Sequence, residues 1–145
     1  MREQRPIRLV VIDDDADICE VLRVVAAGHP SIEWIGSAPS PEQAVVLCRE
    51  TPPDAILLDH YFMSAEPAEP AASDGMRRPM RGMSGLEAVE YLRAVCPDAV
   101  IAVHTGAAGL ADSVVHSGAD LYLRKGSDLR ATLDEVAGQV QQRRG

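Results

Sequence analysis

Five side chains able to do chemistry stand at the ends of apolar runs. Asp13 and Asp14 follow Arg8-Leu-Val-Val-Ile12, and Asp59 closes Ala55-Ile-Leu-Leu-Asp59. Thr105 follows Val100-Ile-Ala-Val-His104, and Lys125 follows Leu121-Tyr-Leu-Arg124. Carboxylates gathered in one place repel, and their charged forms cost energy unless a cation sits among them. Oxygen donors suit a hard divalent ion, and Mg²⁺ most of all, since it keeps several waters and takes one or two carboxylates. A metal beside Asp59 would neutralise an incoming phosphoryl group. Lys125 could hold a phosphate oxygen as a point charge, and Thr105 could donate a hydrogen bond to another. The set is suited to carrying a phosphoryl group on a carboxylate. The plainer reading of one strand-end Asp is a turn former or helix cap, and Asp15, or even Asp14, fits that role. Chance is a poor account of all five residues at the strand ends.

The elements that position them alternate. Arg8–Ile12 is a continuous β-branched run, read as a strand buried on both faces. Ile18, Val21, Leu22 and Val25 then recur at helical spacing, stopped by Gly28 and Pro30. Ile32 to Ile35 is a short second strand. Ser40-Pro41-Glu42-Gln43 is a helix start, with Ser as cap and Pro at the first helical position. Ala55–Asp59 is the third strand. From Phe62 to Pro79 the period is lost in Ala, Pro, Met and charge. It resumes at Ser84-Gly85-Leu86-Glu87, a capping box, with Leu86, Val89, Leu92 and Val95 on one face. Val100–His104 is the fourth strand, Gly106–Ser117 a short weak helix, and Leu121–Arg124 the fifth strand. Ser127 is expected to cap a last helix that turns Leu129, Leu133, Val136 and Val140 inward. Five strands alternating with five helices, joined by short loops, give an α/β fold: a parallel sheet covered on both sides. Ligands in such folds bind beyond the carboxyl ends of the strands.

Composition narrows the function classes. The 145 residues make one domain, with the core at about 7–142 and an inserted loop at about 62–79. Aromatic residues are 3% of the chain, so the core must be aliphatic. A net charge of −8 argues against direct nucleic-acid binding. No apolar stretch approaches the roughly 18 residues of a membrane span, and the charged start carries no signal-peptide pattern. Cys19, Cys48 and Cys96 are odd in number and far apart, with no CxxC pair. That excludes a disulfide scaffold or zinc knuckle and suits a reducing cytoplasm. All three read as small buried apolar side chains.

The pattern resembles the receiver domain of bacterial two-component response regulators (CheY-like). The stretches that carry it are Leu9–Asp15, Asp54–Asp59, Met83-Ser-Gly-Leu-Glu87, His104-Thr-Gly106 and Gly118–Lys125. The resemblance implies a flavodoxin-like, doubly wound (βα)5 sheet of order 2-1-3-4-5, in a single domain with a long loop after the third strand. It implies Asp59 as phosphoacceptor, and Asp13 and Asp14 as the acidic pair around Mg²⁺. It also implies a metal contact from the backbone carbonyl of Tyr61. Thr105 and Lys125 match the family's switch hydroxyl and lysine, and Tyr122 its switch aromatic. From the residues alone, Tyr122 is equally a packed strand residue.

Departures from the family pattern concentrate after Asp59. Residues 62–79 are extra, acidic and Pro-spaced at first (Glu66, Pro67, Glu69, Pro70) and basic at and just past the end (Arg77, Arg78, Arg81). The bland reading is a tolerated surface insertion. The sharper one is a lid whose arginines reach the phosphoryl group or the donor protein. Gly126 replaces a proline that many receivers carry in cis form, so a trans peptide is expected there. Receivers attached to LuxR-type DNA-binding domains often lack that proline too. Arg81 stands where the family has proline. His60, beside Asp59, is read as a strand neighbour rather than a phosphohistidine.

The expected function is a phosphoacceptor switch in a bacterial two-component phosphorelay. It is not an enzyme, although it assists its own phosphorylation and dephosphorylation. The phosphodonor partner is a sensor histidine kinase or phosphotransfer protein. A homodimer, or an effector domain or protein downstream, would read the switched surface. No effector domain follows the last helix in this sequence, so output is expected through protein contact unless the chain belongs to a longer regulator. The location is cytoplasmic, with no membrane partner. Two rivals remain. A pseudo-receiver scaffold would bind partners without phosphorylation. A Mg²⁺-dependent aspartyl-phosphate phosphatase would want a second Asp where Tyr61 stands.

Overall fold

The computed structural model describes residues 5–59, 85–105, 118–126 and 128–144. In chain order the elements are β1 (Ile7–Ile12), α1 (Ala16–Ala27), β2 (Ile32–Ala38), α2 (Pro41–Glu50), β3 (Ala55–Asp59), α3 (Gly85–Val95), β4 (Val100–Thr105), β5 (Leu121–Arg124) and α4 (Leu129–Arg144). All strand pairs are parallel and the sheet order is β2-β1-β3-β4-β5. The expected flavodoxin-like (βα)5 order is therefore present, with four helices among the described residues. The expected helix at Gly106–Ser117 and the inserted loop at 62–79 lie outside them.

The continuous apolar strands follow from two covered faces. Along β1, Ile7, Leu9 and Val11 join a core with Leu22 and Ala26 of α1 and with Leu133 and Val136 of α4. The alternate residues Val10 and Ile12 join a second core with Ala44 and Val45 of α2 and with Val89 and Leu92 of α3. Strand side chains alternate faces, so a strand covered on both sides has no polar position to spare. β2, at the edge, is correspondingly half exposed, and it extends to Ala38, beyond the expected Ile35. A register shift between Leu9 and Val10 lets it run on.

Helix starts follow local chemistry. Asp15 caps α1, its carboxylate accepting the backbone N–H groups of Asp17 at 2.9 Å and Ile18 at 3.4 Å. Ser40 Oγ accepts the Gln43 N–H at 3.3 Å, and Pro41 opens α2. For α4 the cap is Asp128, which accepts the Arg130 N–H at 3.0 Å. The expected caps Ser84 and Ser127 lie outside the described residues. In α1 the inward stripe is Cys19, Leu22 and Ala26, whereas Val21 faces solvent at 47% exposure. An isolated apolar periodicity does not tell which of two adjacent stripes meets the sheet.

The amino-terminal end of the sheet is held by charge. Asp120 accepts the Ile101 N–H at 2.9 Å and meets Arg93 at 2.8 Å and Arg143 at 3.3 Å. Asp54 accepts the Arg8 N–H at 2.9 Å and meets Arg144 at 3.3 Å. These contacts close the end of the domain opposite the carboxylates.

Candidate functional site

The carboxyl ends of β1 and β3 lie side by side because the two strands pair directly, with Ile12 beside Leu58. Asp13 is the first residue past β1 and Asp59 the last of β3, so adjacent strands deliver both acids to one rim. Both are buried, at 4% and 6% exposure, while Asp14 is exposed. One ligand oxygen from each of Asp13, Asp14 and Asp59 lies within 4.8 Å of the others. That is three hard oxygen donors in one small space.

β5 brings the cation. It pairs with β4 from Ala102–Leu121 to Thr105–Arg124, and β4 pairs with β3 up to Asp59–His104. Lys125, just past β5, thereby reaches across the rim. Its Nζ donates to Asp59 Oδ1 at 2.9 Å and lies 3.3 Å from Asp13 Oδ2. After it the chain turns at Gly126 with φ of 88°, a left-handed conformation that glycine adopts freely. No peptide among the described residues is cis, as expected for a chain lacking the proline.

The electrostatics follow from this crowding. Burial pushes the Asp13 carboxyl up, and the charge of Asp59 adds to the rise. The Asp15 N–H, accepted at 2.9 Å, and the Lys125 ammonium oppose it. For Lys125, burial pulls the pKa down, but the hydrogen bond to Asp59 and the charges of Asp59 and Asp13 outweigh it. The ammonium is held above its ordinary range. Among the described residues, one ammonium faces these two buried carboxylates and the exposed Asp14, a negative balance that favours a further cation. The donors among the described residues, three carboxylates with Asp14 on the exposed side where waters can reach, fit Mg²⁺ chemistry. A cleft of about 380 Å³ opens beside Asp13 and Asp14, walled by Trp34 and Pro39.

The five strand-end residues read from sequence thus separate into two groups. Asp13, Asp14, Asp59 and Lys125 are brought together. Thr105 ends β4, two register positions beyond the pair formed by Val103 and Tyr122, and its side chain lies outside the described residues. Tyr122 is half-buried on β5, alternating with Leu121 and Leu123, which pack on the α1–α4 face. The Tyr61 carbonyl, His60 and the arginines Arg77, Arg78 and Arg81 lie outside the described residues.

Sequence reasoning missed His104. It is the register partner of Asp59, 2% exposed, and its Nε2 has no hydrogen-bond partner among the described residues. Burial, then the Lys125 charge, pushes its pKa down to about 4 against the pull of Asp59, so the imidazole is neutral at pH 7. Its place as a polar residue near the end of an apolar strand was the available signal.

No family model matches the chain. A protein-glutamate methylesterase/protein-glutamine glutaminase of Anaeromyxobacter dehalogenans is 47% identical over 55 residues, 38% of this chain and 15% of that protein. A further one, from Burkholderia thailandensis, is 32% identical over 99 residues, 68% of this chain and 22% of that protein. The chain thus corresponds to less than a quarter of the length of these curated relatives. Among solved structures, a response regulator receiver domain protein (CheY-like) from Methanospirillum hungatei superposes with a TM-score of 0.71 at 18% identity, covering 96% of this chain and 97% of that one. A response regulator from Burkholderia pseudomallei, solved with a phosphorylated aspartic acid, a calcium ion and citrate, has a TM-score of 0.64. It is 24% identical and covers 96% of this chain and 73% of that one.

Proposed function

We propose that this chain, a response regulator receiver domain of the CheY-like fold, is a phosphoacceptor switch with Asp59 as the residue that carries phosphorus. The observation that supports it is the Lys125 ammonium at 2.9 Å from Asp59, with the Asp13 and Asp14 oxygens within 4.8 Å. An Asp59 oxygen attacks the phosphorus of a donor phosphohistidine, the P–N bond breaks, and the imidazole leaves with the electron pair. Lys125 then exchanges its contact with the carboxylate for one with a phosphoryl oxygen. Asp13, Asp14 and Asp59, with the Tyr61 carbonyl, would hold Mg²⁺, whose positive charge offsets that of the phosphoryl oxygens. Asp13, being buried and fixed by the Asp15 N–H, gives that site a rigid wall. The domain assists its own phosphorylation and hydrolysis.

The output is a change of surface. Phosphorylation adds roughly one negative charge and strong acceptor oxygens beside Lys125. Thr105 turns toward them, and the ring of Tyr122 follows into the space beside β4. A partner protein, a second copy or an effector domain reads the altered face, and a sensor histidine kinase or phosphotransfer protein supplies the phosphoryl group. The domain 1–145 works in the cytoplasm, and among the described residues no helix is long and apolar enough to cross a membrane.

Incubation with beryllofluoride and Mg²⁺, followed by ¹⁹F NMR, tests this reading against its rivals. A bound fluoride signal lost in Asp59→Asn supports the switch. Absence of any bound signal would favour the scaffold, and turnover of small phosphate monoesters would favour the phosphatase.

A further inference from the structure

The rim opposite Asp59 gathers arginines, in a chain whose net charge is −8. There a cleft of about 410 Å³ opens between the start of β1, the turns leading into β3 and β4, and the end of α4. Arg5, Arg143 and Arg144 line it together with Asp54 and Asp98, and the buried Val100 and Val140 supply its apolar side. Two of the three guanidinium groups are held in place. Arg143 donates to the carbonyls of Asp98 at 3.2 Å and Ala99 at 3.3 Å, and to Asp120 Oδ1 at 3.3 Å. Arg144 donates to the Arg5 carbonyl at 2.9 Å and stands 3.3 Å from Asp54 Oδ2. These contacts use part of the five N–H donors on each group. The Arg5 side chain is exposed and pairs with no carboxylate among the described residues.

We infer that this cleft binds a soluble phosphate-bearing molecule, with a diphosphate group seated among Arg5, Arg143 and Arg144. The charge balance favours an anion. Asp54 is shared by Arg144 and by Arg8, whose Nε lies at 3.6 Å, and Asp120 is shared by Arg93 at 2.8 Å and Arg143. With the exposed Asp98, three carboxylates among the described residues face five guanidinium groups at this end. The carboxyl end of α4 subtracts about half a charge, which leaves the balance positive. Guanidinium groups already pinned to backbone carbonyls lose little freedom when a ligand arrives. Each presents a fork that matches an oxyanion. A carboxylate has two oxygens and satisfies one such fork, whereas a diphosphate offers oxygens in several directions to groups arriving from β1 and from α4. The volume suits a small molecule. The strongly negative chain repels an anionic membrane, so the ligand is taken from solution. The cleft lies at the other end of the strands from Asp59, so binding there requires neither Mg²⁺ nor phosphorylation.

The test titrates the full chain with sodium pyrophosphate by calorimetry, in EDTA and at low ionic strength. The expected result is saturable binding of one pyrophosphate per chain, weakened by added salt and accompanied by a rise in melting temperature. Arg5→Gln should weaken binding about tenfold, the loss of one charge-assisted contact. Asp98→Asn should tighten it, because a repelling carboxylate is gone, an outcome that general damage to the fold would not produce. Asp59→Asn should bind as the unmutated chain does. Vesicles containing phosphatidylglycerol should leave the protein in the supernatant. No saturable heat from the unmutated chain would overturn the proposal, even where a variant fails to fold. So would affinity unchanged in Arg5→Gln, binding lost in Asp59→Asn, or sedimentation with the vesicles.

Discussion

Replacing Lys125 with Met removes the one cation among the described residues that contacts both buried carboxylates, while keeping much of the side chain's apolar stem. At 2.9 and 3.3 Å, with an effective dielectric of about 20, the two attractions amount to about 6 and 5 kcal/mol gross. Desolvation of the three groups offsets most of this, and the lysine side chain, 26% exposed, is partly screened. A net loss of about 2 kcal/mol at pH 7 in the absence of divalent ions is therefore expected. Two further results distinguish this from generic damage. With Lys125 gone, burial and the Asp59 charge raise Asp13 further. The deficit should then shrink as pH falls and Asp13 takes up its proton, because a raised carboxyl pKa favours the fold on the acid side. Added Mg²⁺ should stabilise Lys125→Met more than the unmutated chain, since the metal replaces the missing charge. Urea unfolding followed by circular dichroism, with EDTA or with Mg²⁺, measures both. A variant as stable as the unmutated protein in EDTA, or one that gains no extra stability from Mg²⁺, would refute the electrostatic reasoning.

Other perturbations act at separate points. His104, held neutral down to about pH 4 by burial, has a depressed pKa, so its contribution is present above about pH 6.5 and lost as pH falls. His104→Leu should remove up to about 3 kcal/mol of acid sensitivity between those limits, measured by urea midpoints at pH 7 and 4.5. Asp120→Ala leaves the Arg93 and Arg143 guanidinium groups and the Ile101 N–H without their shared acceptor. It should cost about 2 kcal/mol by thermal unfolding. Gly126→Ala meets no atom of the described residues within 4 Å, so its expected cost of about 1 kcal/mol comes from backbone conformation.

Much of the fold was legible in the sequence because strands covered on both faces leave long β-branched signatures, as in Leu9–Ile12, Ala55–Leu58 and Val100–Val103. The acids and the lysine stand at or just past the carboxyl ends of such runs, where a parallel sheet places its ligands. Asp15, Ser40 and Pro41 act within one turn of their own positions, so their roles could be read locally. The contacts that escaped depend on distant parts of the chain. Asp120 gathers Arg93 and Arg143 only after α3 and α4 have packed. The inward choice of Cys19 over Val21 is likewise made by the sheet, since α1 alone is apolar on both stripes.

The most direct measurement tracks covalent phosphate on the intact chain. Acetyl phosphate should add a single phosphoryl mass that maps to Asp59, at a rate that rises with Mg²⁺ to saturation and falls to background with EDTA. Asp59→Asn should stay unlabelled, and Asp14→Asn should require more Mg²⁺. Phosphorylation that proceeds equally in EDTA, or maps to another residue, would contradict the account.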